Sequence, residues 1–117
     1  MKKVNEFVEH LNEVFHLFGS IRSRRMFGGY GIYHDGLMIG LVADDTLFLK
    51  IDALSAPHFS EAGCLPFEYT KNGVTMKMSY SSAPVEVFDE PETAKIWATR
   101  AYEAALRSRS KTAKHSK

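Results

Sequence analysis

The stretch from Arg24 to Asp52, RRMFGGYGIYHDGLMIGLVADDTLFLKID, constrains the fold more than any other part of the chain, because short apolar runs are cut at close intervals by turn residues. Asp35-Gly36 lies between two such runs. A type I′ hairpin turn needs positive φ at both central positions, and this pair adopts it cheaply. Ala43-Asp44-Asp45-Thr46 marks a second, looser turn. Between the turns, Leu37, Ile39 and Leu41 alternate with Met38, Gly40 and Val42, so this strand is apolar on both faces and is expected in the middle of its sheet. The next run sends Leu47, Leu49 and Ile51 one way and Thr46, Phe48 and Lys50 the other. An antiparallel meander with a helix layer on one face is expected.

The flanks supply the helices. Val4, Phe7, Val8, Leu11, Val14, Phe15 and Phe18 recur at the three-and-four spacing of one helical face, with Gly19 placed to end the helix. Ile21 to Met26 reads as a short strand, Arg22 and Arg24 on one face and Ser23 and Arg25 on the other. Beyond the meander, Asp52 or Ser55 caps a short helix through about Ala62, with Pro57 in its first turn and Gly63 after it. Asn72-Gly73 joins Phe67–Thr70 to Val74–Tyr80 in a second hairpin, and the Met76, Met78 and Tyr80 face of its second strand is expected to be buried. Val85, Val87 and Phe88 anchor the following connection, and Asp89 caps a last helix that carries Pro91, Trp97, Ala101, Ala105 and Leu106. The expected class is α+β: two layers, an antiparallel sheet against helices, in the order α-β-β-β-β-α-β-β-α.

At 117 residues the chain makes one domain, residues 1–106, with a core that needs no staple. The one cysteine, Cys64, excludes an intramolecular disulfide and a structural zinc cluster. Glutamates and asparagines break the apolar run after the two N-terminal lysines, and no stretch approaches the ~20 apolar residues of a membrane span, so a cytoplasmic location is expected. The net charge of +1 hides an asymmetry: five of the fifteen bases lie in residues 107–117 without an acid, leaving ten bases against fourteen acids, a net −4, in residues 1–106. That basic segment has no apolar residue except Ala113 and is expected to be a disordered tail. The acidic balance of the body argues against a nucleic-acid binder built on the fold itself.

No constellation of catalytic or metal-ligating residues stands out, and no cofactor is expected. His10 and His16 are six residues apart on a helix, unlike the i, i+4 spacing of a metal pair. Cys64 follows a helix end, where the dipole raises a thiol pKa. His34 and Asp35 are strand neighbours that point to opposite faces, and the Asp44-Asp45 turn lacks the regular oxygen spacing of a calcium loop. Gly28-Gly29-Tyr30-Gly31 leads into a strand, whereas phosphate loops lead into a helix N-terminus; bending or close backbone approach beneath Phe27, Tyr30 and Tyr33 accounts for it. Arg22, Arg24 and Arg25, with Met26, Phe27 and Tyr30, form the best candidate interaction surface, suited to a carboxylate, a phosphate or an acidic segment. The plain alternative is that these arginines pair with Asp44, Asp45 or Glu68 and only blunt a sheet edge. In the tail, Arg107, Arg109, Lys111, Lys114 and Lys117 could add weak, salt-sensitive nucleic-acid affinity or bind nothing.

Met26-Phe27-Gly28-Gly29-Tyr30-Gly31, Ala43-Asp44-Asp45, Pro66-Phe67 and Met78-Ser79-Tyr80, followed by IWATRAYEAAL, together resemble the N-terminal domain of the TfoX/Sxy family of bacterial competence regulators, over about Phe7 to Leu106. The resemblance implies a secretion-chaperone-like α+β architecture and a non-enzymatic regulatory module. Longer members carry a second, C-terminal domain, for which residues 107–117 are too few and too polar, so a stand-alone domain is expected. The implied partner is a protein, with the transcription machinery one candidate class. A small nucleic-acid-associated protein using the tail and the Arg22–Arg25 cluster is the alternative, and a small-ligand binder with a pocket near Met26 to Tyr33 a third reading. No membrane contact is expected; self-association through a strand edge or the alanine face of the last helix is.

Overall fold

A computed structural model describes residues 5–26 and 28–115, the backbone alone for residues 110–115. Helix α1 spans Glu6–Val14 and is capped by Asn5, whose side-chain oxygen accepts the Val8 amide at 3.1 Å. Glu6 and Glu9 in its first turn complement the helix dipole. The helix proper stops before the apolar spacing does. The Phe15 carbonyl accepts from both Phe18 and Gly19, and Gly19 takes φ 149°, so residues 15–18 close as turns while Phe15 stays in the core.

Strands β1 (Arg22–Met26), β2 (Gly29–His34), β3 (Leu37–Ala43), β4 (Thr46–Lys50), β5 (Pro66–Lys71) and β6 (Val74–Ser82) form one antiparallel sheet in the order β1-β2-β3-β4-β6-β5. Asp35-Gly36 and Asn72-Gly73 make the expected left-handed turn pairs. The turn at Asp44-Asp45 is as tight as these and not looser: both aspartates take positive φ, 52° and 55°, which a short polar side chain tolerates.

One register change overrides simple alternation. Ile32 faces Gly40 while Tyr33 faces Met38, so Ile39 is an extra, fully buried bulge residue. Leu37, Ile39 and Leu41 therefore do not share a face as expected. Leu41 stands opposite Phe48 on the side away from the buried Val42, Leu47 and Leu49.

Helices α2 (Ala56–Glu61) and α3 (Pro91–His115), with a 3-10 turn at Val85–Phe88, complete the second layer. Val8, Leu11, Val14 and Phe15 from the α1 region, Phe59 from α2 and Ala94, Ala98 and Ala101 from α3 share one core with Ile32, Val42, Leu47 and Leu49. All three helices thus cover the same face of the sheet. The alanines let α3 lie close over β3 and β4, and Trp97 meets Phe59 at 4.7 Å between centroids.

Three expectations change near the C-terminal half. Asp89 ends the 3-10 turn, so Glu90 precedes α3 in the capping place. Val85 is 73% exposed, so of the three expected anchors Val87 and Phe88 alone reach the core. Helix α3 continues through residues 107–115, where a disordered tail was expected. A nucleated helix gains one hydrogen bond per added residue, and Arg107 ties this part to the body. Lys111 and Lys114 lie on that helical backbone, and Lys117 is outside the described residues.

Candidate functional site

With every helix on one side, the opposite face of the sheet has no covering layer among the described residues. Cross-strand partners share a face, so the pairs Arg24 with Gly31, Arg22 with Tyr33, Leu41 with Phe48 and Lys50 with Tyr80 trace this open face across five strands. Met26 and Met38 join it above Gly31. A Cβ on Gly31 would lie 2.8 Å from the Met26 sulfur and 3.0 Å from the Tyr33 ring, so these side chains fold over the bare glycine backbone. Phe48 meets Phe67 at 4.6 Å, continuing the face onto β5. Arg24 sits 6.0 Å from the Tyr33 ring centroid and Lys50 5.2 Å from that of Tyr80. Its described strand positions carry Arg22, Arg24, Lys50 and Lys71 and no acid.

The candidate arginine cluster is divided by this geometry. Arg22, Arg24 and Met26 lie on the open face, whereas Arg25 pairs with Tyr30 on the helix side, where Tyr30 packs against the core. Phe27 is outside the described residues. Neither Asp44, Asp45 nor Glu68 forms an ion pair with these arginines among the described residues; Glu68 is on β5, at the other edge of the sheet. Tyr33, Met38, Leu41, Phe48 and Tyr80 were not among the residues picked from the sequence. Their signal was present in the strands that read as large and apolar on both faces, which helices on one side cannot cover.

At the far end of the sheet, the outer part of the β5–β6 hairpin is exposed on both faces. Met76 and Met78, expected to be buried, are 54% and 38% exposed, with Val74 at 59% and Tyr69 at 47%. Strand β4 pairs with β6 only from Tyr80 to Ser82, so among the described residues no strand lies beside β6 along the outer half of the arm.

Several ionisable groups elsewhere serve the fold. Arg107 donates through Nε and Nη2 to the two Asp52 carboxylate oxygens at 2.5 and 2.9 Å, and this contact holds the carboxyl down at about 2 against the opposing effect of burial. Asp52 Oδ1 also accepts the Leu54 and Ser55 amides, and Ser55 Oγ accepts the Asp52 amide, which closes the turn into α2. Arg107, placed in the tail by sequence, is therefore a structural residue. His34 donates Nδ1–H to the Ser20 carbonyl at 2.7 Å and packs between Phe18 and Tyr102, while Tyr102 donates to Asp35. His10, Glu13 and His16 line one cleft of about 440 Å³ with Val87 and Phe88, but the His16 ring already bonds the Glu13 carbonyl. Burial pushes the Cys64 thiol up, leaving it less able to act as a nucleophile. Burial likewise raises the Tyr80 hydroxyl. Among the described residues no group of three His, Cys, Asp or Glu could hold a metal ion, and no helix is long and apolar enough to cross a membrane.

Residues 13–105 match the TfoX N-terminal domain, which takes in the whole sheet and the core residues from Val14 onward. A curated relative, the DNA transformation protein TfoX1 of Aliivibrio fischeri (strain ATCC 700601 / ES114), is 30% identical over 93 residues. The match covers 75% of this chain and 44% of the relative, so the chain spans less than half of that protein's length. The match over residues 13–105 takes in most of the chain, and the chain belongs to the TfoX N-terminal domain family.

Proposed function

We propose that this chain is a non-enzymatic regulatory module, acting in gene control linked to DNA transformation by docking a protein on the open face of its sheet. The observation that carries the reading is that face: among the described residues, methionines and aromatics without a covering layer, fringed by Arg22, Arg24, Lys50 and Lys71 and free of acids. Methionine adapts to a partner's apolar side chains, and the one-signed fringe favours an acidic segment with apolar anchors. Family membership and the name of the A. fischeri relative support the regulatory setting. The competing reading is a nucleic-acid-associated protein. Aromatics on a sheet with basic neighbours can stack bases, but here Arg24 and Lys50 already lie near two of the rings and much of the face is methionine and leucine.

The test replaces the chromosomal copy with Arg22→Glu/Arg24→Glu or Phe48→Glu and measures transformation frequency at matched protein level and melting temperature. A loss of tenfold or more supports docking on this face, and unchanged transformation removes it. A DNA-binding salt series on the full chain and on a chain ending at residue 109 decides the alternative. Sequence-selective binding by both at physiological salt would replace the protein-docking reading.

A further inference from the structure

The β5–β6 arm presents main-chain groups as well as side chains. The Ile51 amide donates to the Ser79 carbonyl at 3.0 Å, which places the Ser79 main chain on the β4 side of β6. Strand alternation then directs the N–H and C=O of Thr75 and Lys77 to the same side. Strand β4 ends at Lys50, opposite Tyr80, so among the described residues no strand meets them there. The three sheet edges are not equally guarded. Arginines line β1, and β5 carries Pro66 beside an irregular register, both devices that discourage pairing. The free side of β6 has neither. Its single charge, Lys77, stands across from Glu68 within the same hairpin. A two-stranded ribbon exposed on both faces is also marginal in water, and a third strand is what such ribbons require.

We infer that a second copy of this chain supplies that strand: β6 pairs antiparallel with β6 of the other copy about a two-fold axis near Met76, giving a continuous β5-β6-β6-β5 ribbon. The side-chain order is self-complementary in this register. Val74 falls opposite Met78, Met76 opposite itself, and Lys77 opposite the uncharged Thr75, so no like charges are directly opposed. Pairing instead with the β1 edge of another copy would set Lys77 against a row of arginines. The pairing covers the β6 main-chain edge and the flanks of Val74, Met76 and Met78, which stays below the ~1,200 Å² of a standard interface and is the size of a weak and reversible association. This inference rests on the free edge and not on the open-face reading, and either can fail alone.

Sedimentation velocity from about 5 to about 500 µM is expected to show monomer passing to dimer within that range. In a Cys64→Ser background, Thr75→Cys, Met76→Cys and Lys77→Cys are treated with a mild oxidant, with Thr70→Cys on β5 as the control. Directly opposed residues at a non-hydrogen-bonded position lie ~4.5 Å apart between Cα atoms, so Met76→Cys is expected to cross-link best. Lys77→Pro removes an N–H that β5 does not use and is expected to abolish the dimer while far-ultraviolet circular dichroism is unchanged. A chain that stays monomeric throughout, cross-linking no better than the Thr70→Cys control, overturns the inference. So does a dimer that survives Lys77→Pro.

Discussion

Replacing Arg107 with alanine is expected to destabilise the whole domain, although sequence reading places this residue in a solvated tail. A carboxyl held at about 2 instead of 3.8 corresponds to roughly 2.5 kcal/mol for a fully shielded pair. The Arg107 side chain keeps 38% of its surface and that of Asp52 24%, so solvent screening reduces this to about 1 to 1.5 kcal/mol. Arg107→Ala should therefore lower the melting temperature by about 5 °C at neutral pH. Asp52→Ala should cost more, about 2.5 kcal/mol, because the Leu54 and Ser55 amides also lose their acceptor. The Asp52 carboxyl is depressed in the folded state, so its stabilisation is complete above pH ~5 and declines as pH falls through 4 toward 2. About half should remain at pH 3. Urea unfolding of wild type, both single variants and the double variant at pH 7 and pH 3 measures the coupling directly. A coupling indistinguishable from zero at pH 7, or one that grows on acidification, would refute the role assigned to this pair.

Gly29→Ala is expected to cost about 3 kcal/mol or more, because its Cβ would lie 2.2 Å from the Val42 carbonyl oxygen, which is backbone held in the sheet. Gly31→Ala should cost under about 1 kcal/mol, since only the ends of Met26, Tyr33 and Met38 must move; equal losses in chemical denaturation would contradict this. Phe59→Ala, which empties the contact between α2 and Trp97, is expected to cost about 3 to 5 kcal/mol and to change the tryptophan emission of the folded state.

Much of the candidate surface was partly legible. Arg22 and Arg24 could be placed on a common face because strand alternation is a local rule, and it held through β1. Tyr30 and Arg25 were grouped with them only by nearness in sequence, and the same alternation sends them to the helix side. The Arg107 anchor left no local signal, because Asp52 is fifty-five residues away and the sequence around Arg107 looks like any polar helix end.

The element order, the two turns at Asp35-Gly36 and Asn72-Gly73 and the apolar stripe of α1 follow from the sequence alone, because each depends on φ preferences or on periodicities within a few neighbouring residues. Which face of a doubly apolar sheet the helices cover, and which is left bare, depends on where α3 crosses β3 and β4. The exposure of the β5–β6 arm is likewise a tertiary outcome: Met76 and Met78 have the spacing of a buried strand, but β4 stops before it can reach them. Burial is a property of what lies opposite a side chain, and only the folded chain supplies that.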